Sequence, residues 1–456
     1  MSRRFDAIII GAGQAGPPLA NRLTQAGRSV ALVERKLFGG TCVNTGCMPT
    51  KTLVASARAA HMARRAADFG VVLAGGVGID MARVKARADT VIANARRGVR
   101  SWLDGMHGCT VIEGHAQFED AHTLRVGDER LGAPQIFLNV GGRAAVPEMP
   151  GLHGIPYLTN TSILGLERVP AHLLIVGGSY IGLEYAQMYR RFGARVTVVE
   201  KGPQLIGRED ADVSMAVRQI LEGEGIDVRT GVAELAFAGA GETLEVTLDG
   251  ERLACSHVLV AVGRVPNTGD LGLDQAGVAT DARGYISVDD ELRTNVPGIW
   301  ALGDCNGRGA FTHTAYNDFE MVAANLLDGE QRKLSARVSG YALYIDPPLG
   351  RVGINEAQAR QRGRPFLVGK RPMSRVGRAV EKDETQGFMK VIVDAETKAI
   401  LGAAILGIEG DEAIHGIIDV MSVGATATQL QRTVPIHPTV SELIPTLIAE
   451  ACAADG

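Results

Sequence analysis

The sequence lacks the features of several large classes of protein. Lysine and arginine total 47 against 51 for aspartate and glutamate, giving a net charge of -4. This leaves no basic surplus of the kind that binds nucleic acid or an anionic membrane. No apolar run approaches the roughly 18 residues that are needed to span a bilayer. We therefore expect no nucleic-acid partner and no membrane association.

The sequence also has little that suggests export. Its first residues, MSRRFDAIIIGAGQAG, pass quickly into an apolar strand and a glycine loop, which leaves no room for a signal peptide. The 6 cysteines in 456 residues are irregularly spaced, unlike the disulfide framework of a secreted domain. We expect a cytoplasmic location. In that reducing compartment a disulfide is more often catalytic than structural.

The length is that of about three domains, and the first begins with a glycine-rich motif. A predicted strand at residues 5–10 runs into Gly11, Gly13 and Gly16, then a helix, then a strand that ends on Glu34. This is the dinucleotide-binding fingerprint in its proper context. Gly11 would make the tight turn, Gly13 would let the backbone approach a pyrophosphate, and Gly16 would allow close packing. Glu34 would accept a hydrogen bond from the adenosine ribose.

The same unit recurs at residues 173–200. A strand is followed by Gly177, Ser179 and Gly182, a helix, and a strand that ends on Glu200. This internal repeat predicts that the chain binds two dinucleotides. Ser179 stands in place of the middle glycine, and we expect it to be tolerated because the position needs a small side chain.

The choice of the second dinucleotide depends on residues near Glu200. A carboxylate at the strand end favours the free 2′-hydroxyl of NADH over the 2′-phosphate of NADPH. Lys201 and Arg208 follow closely, however, and could neutralise a phosphate. We therefore expect NADH, with NADPH as the alternative.

Two cysteines stand close together in GGTCVNTGCMPTK, residues 39–51. On a regular helix, residues spaced like Cys42 and Cys47 differ by about 7.5 Å in rise, whereas a disulfide needs Cα atoms about 4.4 to 6.8 Å apart. Gly46 would let the first turn distort enough to bring Cys47 back toward Cys42. A helix that begins here would also lower a thiolate pKa. Taken alone, the segment would more often be two buried structural cysteines.

The remaining pattern is mostly structural. We expect two long helices within residues 52–106, and strands at 110–120 and 138–143 in a small sheet. Predicted strands at 259–267 and 295–304 follow. The second ends on Asp304, which alone would more often be a turn residue or helix cap than a ligand contact. Residues 387–407 read as a hairpin, and a helix follows at about 411–424.

Near the C-terminus, His437 precedes Pro438, with Glu442 five positions after the histidine. A histidine whose second ring nitrogen is held by a carboxylate can act as acid and base near neutral pH, which thiol-disulfide exchange needs. The alternative is a histidine in an ordinary loop.

Together these motifs resemble the pyridine nucleotide-disulfide oxidoreductases, the family of glutathione reductase, dihydrolipoamide dehydrogenase and mercuric reductase. The resemblance implies an α/β fold with two Rossmann-like domains, for FAD and for NAD(P)H, plus a C-terminal α+β dimerisation domain. It implies domain limits at 1–145 (FAD, first part), 146–270 (NAD(P)H), 271–338 (FAD, return) and 339–456 (interface).

The resemblance also implies roles for the cysteines and their neighbours. Cys42 and Cys47 would form a redox-active disulfide, with Cys42 as the interchange thiol that attacks substrate and Cys47 as the charge-transfer thiol beside the flavin. Lys51 and Glu184 resemble the family's ion pair near the reactive flavin nitrogen.

The acid-base pair matches His437 and Glu442, which the family supplies from the partner subunit. The resemblance therefore implies a homodimer with shared active sites and an inactive monomer.

The cofactor contacts carried over fall into two groups, and no resident metal is expected. The FAD contacts are Gly11, Gly13, Gly16, Glu34, Thr41, Lys51, Gly303 and Asp304. The nicotinamide-dinucleotide contacts are Gly177, Tyr180, Ile181, Gly182, Glu200 and Gly263, with Tyr180 covering the nicotinamide pocket.

The sequence indicates the type of reaction more closely than it indicates the substrate. The Cys42 segment and Ser179 resemble mercuric reductase, but the chain has no N-terminal metal-binding module and has a single Cys452 near its end instead of a cysteine pair. Transfer of a soft metal ion from the surface to the active site needs successive pairs of thiolate ligands. We therefore favour a disulfide or related small oxidant. Reduction of mercuric or cupric ion is the second hypothesis, and a slow redox sensor or binding component is the third.

Overall fold

The computed structural model describes residues 3–240 and 243–453. Three five-stranded sheets organise these residues, two of them parallel and one antiparallel. No helix in this part of the chain combines the length and apolarity needed to cross a membrane. The mixed α/β architecture is the one that the sequence predicted.

The first parallel sheet forms around the strand Ala7–Ile10, whose four residues are all buried. A strand that is covered by helices on both faces has apolar residues at every position, because both of its sides are buried. This explains the sequence AIII. In spatial order the sheet consists of Ile299–Ala301, Gln135–Leu138, Ala7–Ile10, Val30–Glu34 and Cys109–Glu113. Its last added strand comes from the distant segment around residue 300.

The second parallel sheet repeats this plan. Its order is Tyr157–Leu158, His257–Val260, His172–Val176, Arg195–Glu200 and Asp227–Thr230. In both sheets the strand before the glycine loop is central and the strand with the terminal glutamate lies next to it. The internal repeat seen in the sequence is therefore a repeat of strand order.

The third sheet is antiparallel and consists of Gly340–Leu343, Leu349–Gly353, Ile400–Leu406, Phe388–Asp394 and Phe366–Pro372. Its central pair is the predicted hairpin. Smaller sheets contain Arg3–Arg4, Glu129–Gly132, Thr123–Val126 and Ala116–Phe118; Leu235–Ala240, Thr243–Leu248 and Glu251–Cys255; and Arg264–Pro266 with Gly142–Ala144.

Two strand predictions were wrong. Residues 138–143 do not form one strand, because Leu138 ends a strand of the first parallel sheet and Gly142–Ala144 pairs with Arg264–Pro266. The segment 110–120 does not form one strand of a small sheet, because Cys109–Glu113 pairs in parallel with Val30–Glu34 in the first large sheet. A separate strand, Ala116–Phe118, belongs to the small sheet. The chain turns at Gly114, where an added Cβ would lie 2.5 Å from a Val126 methyl group.

The helices cover the parallel sheets and one face of the third sheet. The two long helices expected within 52–106 are Cys47–Arg64 and Met81–Asp104, which pack on each other. The others are Gly16–Gln25, Gly40–Asn44, Tyr180–Phe192, Ala211–Gly223, Leu273–Ala276, Thr312–Ala323, Glu356–Gln361, Gly377–Glu381, Gly410–Ala413, His415–Ser422, Ala427–Gln431 and Ile444–Ala453.

Candidate active site

A cavity of about 1570 Å³ opens at the carboxyl ends of the central strands of the first sheet. This is where open α/β sheets bind ligands. Residues from distant parts of the chain meet in its wall. Of the residues carried over from the family, those that line it are Gly11, Gly13, Glu34, Thr41, Cys42, Cys47, Lys51, Tyr180, Ile181, Glu184, Gly303 and Asp304.

The first glycine loop forms a cradle that side chains would fill. Gly11 has φ +106°, and a Cβ there would lie 2.3 Å from the carbonyl oxygen of Asn139. A Cβ on Gly16 would lie 2.2 Å from the Gly11 carbonyl oxygen, so the helix packs closely on the strand. Glu34 is fixed at the rim, because its Oε2 accepts a hydrogen bond from the Ala12 amide at 2.8 Å. These residues fit an FAD dinucleotide.

The second glycine loop has the same geometry. Gly177 has φ +116°, and a Cβ on Gly182 would lie 2.1 Å from the Gly177 carbonyl oxygen. Ser179 has φ -108° and ψ -176°, an extended conformation that any residue adopts, which explains why serine is accommodated there. Glu200 Oε2 accepts a hydrogen bond from the Gly178 amide at 2.6 Å.

The nicotinamide-side residues divide between two places. Tyr180 and Ile181 begin the helix Tyr180–Phe192 and line the cavity. Another group lies at the carboxyl edge of the second sheet and does not line the cavity; it consists of Gly177, Gly182, Glu200 and Gly263. Gly16 also lies behind the cavity wall.

The two cysteines lie on either side of a helix break. Cys42 belongs to the helix Gly40–Asn44, and Cys47 is the first residue of Cys47–Arg64. Gly46 separates the helices, and a Cβ there would lie 2.9 Å from the Thr41 carbonyl oxygen. The structure has both cysteines as free thiols that share a hydrogen bond. The break thus brings the sulfurs together where a continuous helix would separate them.

The two thiols differ in acidity. The hydrogen bond from Cys42, together with smaller effects of Thr312 and the Lys51 charge, lowers the pKa of Cys47 to about 6 against the opposing effect of burial. The same hydrogen bond, together with burial, raises the pKa of Cys42. The reduced pair therefore carries its negative charge on Cys47 at neutral pH.

Thr312 is a residue of the site that was not predicted from the sequence. Its Oγ1 lies 3.3 Å from Cys47 Sγ and donates to the thiolate form. Thr312 begins the helix Thr312–Ala323, more than 260 positions from the cysteine. No local pattern connects the two residues, so the sequence offered no signal for this contact.

Lys51 and Glu184 form an ion pair beside the cysteines. Lys51 Nζ lies 2.8 and 3.0 Å from the two carboxylate oxygens of Glu184, whose side chain is buried. Glu184 Oε1 also accepts a hydrogen bond from the Tyr344 amide at 3.0 Å. Lys51 Nζ lies 4.4 Å from the centre of the Tyr344 ring. A fixed positive charge therefore faces the cavity close to the thiols.

Asp304 has a partner that was also missed. Its Oδ2 lies 3.3 Å from Arg264 Nε, while burial raises the pKa of the carboxyl group against the effect of that arginine. The neighbouring Gly303 amide donates to Asp318 Oδ2 at 2.8 Å. Buried Asn139 completes this wall and donates from Nδ2 to the Gly11 carbonyl oxygen at 3.1 Å. Polar groups thus converge on the first glycine loop.

His437 and Glu442 form a hydrogen-bonded pair outside the cavity lining. His437 Nδ1 lies 2.9 Å from Glu442 Oε2. The histidine side chain is 80% exposed, whereas that of Glu442 is 14% exposed. The carboxylate orients the ring, most of which is exposed on the surface of the subunit.

The other cysteines show no comparable environment. Burial raises the pKa of Cys109 and of Cys255 to about 11, and that of Cys305 to about 12. Cys452 is half-buried. Within residues 3–240 and 243–453, no group of three or more histidine, cysteine, aspartate or glutamate side chains is placed to hold a metal ion.

Comparison with known proteins agrees with this geometry. A family model described as pyridine nucleotide-disulphide oxidoreductase matches residues 5–318, and one for the dimerisation domain of the same family matches residues 340–448. The probable pyridine nucleotide-disulfide oxidoreductase RclA of Escherichia coli is 35% identical, covering 96% of this chain and 97% of its own. The mercuric reductase of Streptomyces lividans is 34% identical, covering 96% and 94%.

Two further likenesses complete the comparison. The dihydrolipoyl dehydrogenase of Thermus scotoductus is 34% identical and covers 96% of each chain. The solved structure of the Cu(II) complex of HOCl-induced flavoprotein disulfide reductase RclA from Escherichia coli superimposes with a TM-score of 0.90 at 34% identity, covering 98% of this chain and 99% of that chain. The chain thus belongs to the pyridine nucleotide-disulphide oxidoreductase family, as its motifs predicted.

Proposed function

We propose that the protein takes electrons from NADH and uses Cys42 and Cys47 to reduce a disulfide or a related small oxidant. The observation that carries this proposal is the pair of facing thiols with opposite pKa shifts at the wall of a dinucleotide-sized cavity. As a member of its family, the protein uses FAD and NAD(P)H. Bound FAD supplies the chemistry that converts a two-electron hydride donor into a reductant of the disulfide.

The residues that would hold FAD are those of the first glycine loop and its surroundings. Gly11 and Gly13 would admit the pyrophosphate, Glu34 the adenosine ribose, and Asp304 the ribityl chain. Lys51, held by Glu184, would place a positive charge near the reactive ring.

The chemistry of the chain itself takes place at the thiols. Two electrons and one proton open the Cys42–Cys47 disulfide and leave Cys42 as a thiol and Cys47 as a thiolate. Cys42 loses its proton to a base and attacks one sulfur of the substrate, and the other sulfur leaves with a proton. The Cys47 thiolate then attacks Cys42, re-forms the disulfide and releases the second half of the substrate as a thiolate, which takes a proton from solvent. The low pKa of Cys47 keeps this resolving nucleophile ready.

We infer that the base is His437 of the partner subunit. Cys42 has a raised pKa and needs a base, while within its own chain His437 stands outside the cavity lining and exposes its free ring nitrogen. The dimerisation domain supports a homodimer. Each site would then combine Cys42 and Cys47 of one subunit with His437 and Glu442 of the other.

The preference for NADH is argued from Glu200. Its carboxylate accepts hydrogen bonds from the Gly178 and Gly202 amides, at 2.6 and 2.7 Å, at the end of its strand. A 2′-phosphate beside this charge would be repelled. Lys201 and Arg208 are exposed, so their charges are screened by solvent.

Two further expectations belong to this proposal. We place the domain limits at residues 145, 270 and 338, because the strands of the second sheet fall between 157 and 260 and those of the third begin at 340. We also expect a cytoplasmic location, where the thiols can be kept reduced.

A metal ion is the second candidate substrate. One relative, RclA from Escherichia coli, has been solved as a Cu(II) complex, and a thiolate pair is a soft ligand. The described residues offer no further cluster to receive such an ion, so we rank the disulfide first.

One panel of steady-state rates tests the proposal. NADH and NADPH are each assayed with lipoamide, glutathione disulfide, bulky disulfides, cupric ion and mercuric ion. We expect a disulfide to give the highest kcat/KM with NADH as donor, and Cys42→Ser and Cys47→Ser each to abolish that rate. Cys109→Ser is the matched control and keeps the wild-type rate.

The panel also defines failure. A higher kcat/KM for a metal ion than for every disulfide favours the second candidate, and a higher kcat/KM for NADPH overturns the cofactor choice. Full disulfide reduction by the Cys42→Ser variant would exclude the dithiol mechanism.

A further inference from the structure

The segment of residues 201–210 lies directly on the second glycine loop. The Ile206 amide donates a hydrogen bond to the Gly178 carbonyl oxygen at 2.8 Å, and the Gly178 amide donates one to the Glu200 carboxylate. A Cβ on Gly178 would lie 2.7 Å from Leu205 Cδ2. The position of this segment therefore fixes the backbone of the loop at the proposed NADH site.

The segment is held in a conformation that it would not adopt by itself. Ile206 has φ +41°, a left-handed conformation that is costly for a β-branched residue. The turn is closed by the Glu209 amide, which donates to the Ile206 carbonyl oxygen at 2.8 Å. The Glu209 side chain is buried and must be anchored for this turn to persist.

The anchor comes from the third sheet. Glu209 accepts a hydrogen bond from the Tyr341 hydroxyl and lies 3.1 and 3.2 Å from Arg351 Nε through its two oxygens. Tyr341 and Arg351 face each other across adjacent antiparallel strands. Side chains in such register lie on one face of the sheet, so both reach the same carboxylate.

The ring of Tyr341 makes a second connection. It stacks on Phe311 with centroids 5.6 Å apart and planes 4° apart. Phe311 in turn lies 5.6 Å from the ring of Tyr180, which follows Ser179 in the glycine loop. Tyr341 therefore contacts both the segment behind the glycine loop and the aromatic group that supports Tyr180.

We propose that Tyr341 is a positioning residue for the second dinucleotide site, where its hydroxyl holds residues 201–210 against Gly178 through Glu209 and its ring supports Tyr180 through Phe311. The inference rests on the proposed function, because it assigns NADH to this site. It adds a residue of the third sheet that lies outside the glycine motif and the cavity lining.

The test separates the hydroxyl from the ring. In Tyr341→Phe the stacking remains and the hydroxyl is lost, so we expect NAD⁺ to bind the oxidised holoenzyme about fivefold more weakly, since part of a hydrogen bond to a charged group is lost. Isothermal titration calorimetry gives this Kd. We expect the KM for NADH to rise by a similar factor while kcat stays within about twofold of the wild-type value. This combination indicates the loss of an interaction that is equally strong in the ground state and the transition state.

A second variant tests the ring. In Tyr341→Leu the support of Tyr180 is also lost, and we expect slower flavin reduction at saturating NADH by stopped flow, which Tyr341→Phe does not show. Glu209→Gln keeps the shape of the contact but removes its charge, and is expected to weaken NAD⁺ binding in the same direction as Tyr341→Phe.

Tyr189→Phe is the matched control. It removes a buried tyrosine hydroxyl that donates to the Ile163 carbonyl oxygen at 3.3 Å, and it should leave the Kd for NAD⁺ unchanged. An unchanged Kd in both Tyr341→Phe and Glu209→Gln overturns the inference while the proposed function stands. Wild-type protein that binds neither NAD⁺ nor NADP⁺ would instead refute the proposed function.

Discussion

A single shared hydrogen bond sets the acidity of both active-site thiols. The proton stays on Cys42, and the negative charge stays on Cys47, where Thr312 and Lys51 stabilise it. Asymmetry of this kind assigns different tasks to two chemically identical side chains. In the mechanism that we propose, the attacking thiol must be deprotonated by a base, whereas the resolving thiol is already a thiolate.

The contribution of Thr312 can be measured directly. In Thr312→Val the thiolate loses one hydrogen-bond donor, so we expect the pKa of Cys47 to rise by about one pH unit. The thiolate fraction at pH 6 to 7 falls accordingly. The pH profile of iodoacetamide alkylation in the thiol-reduced holoenzyme, with peptide mass spectrometry to separate Cys47 from Cys42, gives this pKa.

Thr90→Val serves as the control for this measurement. Its hydroxyl bonds the Ala86 carbonyl oxygen on the exposed face of another helix, and its loss should leave the profile in place. An unshifted Cys47 profile in Thr312→Val would mean that Thr312 does not stabilise the thiolate.

At the scale of elements, the interruption between two helices creates the dithiol. The short helix Gly40–Asn44 and the long helix Cys47–Arg64 would place the sulfurs on different faces if they were continuous. Gly46 permits the interruption because a Cβ at this position would lie 2.9 Å from the Thr41 carbonyl oxygen.

Gly46→Ala should therefore impair catalysis more than folding. The added methyl group must push Thr41 and the short helix aside, which moves Cys42 relative to Cys47. We expect kcat/KM for disulfide reduction to fall about tenfold, since small displacements of reacting groups are costly, while the FAD content stays near that of the wild type. Steady-state rates and flavin absorbance of the purified protein check both.

Gly76→Ala provides the comparison, because a Cβ at that exposed glycine meets no atom within 4 Å. Both variants lose one glycine, so a difference between them reports the local contact. Equal kcat/KM in the two variants would show that the gap between the helices tolerates a side chain.

Some elements were predictable from the sequence, and others were not. The glycine loops, Glu34 and Glu200 follow from local spacing, because strand, turn and helix are contiguous in the chain. The sheet that receives Cys109–Glu113 depends on a partner about 80 positions away, which the pattern of that strand does not encode. Thr312 and Arg264 reach the site only through the fold, so their roles were invisible in the sequence.

On the scale of the whole molecule, the proposed active site needs two subunits. Mixed dimers test this. If Cys42→Ser and His437→Ala subunits are co-expressed with different tags, each heterodimer holds one intact site and one doubly altered site. If the subunits pair at random, about half of the dimers are heterodimers, and each of these has one of its two sites intact. The mixture then has about a quarter of the wild-type rate, although each variant alone forms a nearly inactive homodimer.

Heterodimers isolated by both tags make the comparison stricter, with an expected rate of about half of the wild-type rate per dimer. A rate no higher than that of the two parent homodimers would place His437 in the site of its own chain. Co-expression of Cys42→Ser with Cys47→Ser is the control, because neither kind of site in that heterodimer has both thiols.

The distribution of protons between Cys42 and Cys47 has a consequence for survival under oxidative stress. Peroxides and hypohalous acids attack thiolates far faster than thiols, and stepwise oxidation past the sulfenic acid cannot be undone by a neighbouring thiol. In the reduced protein, the sulfur that we propose attacks the substrate is protonated and is a poor target for such damage. The ionised sulfur, that of Cys47, lies beside the Cys42 thiol. A sulfenic acid formed on Cys47 can therefore condense with Cys42, which restores the Cys42–Cys47 disulfide.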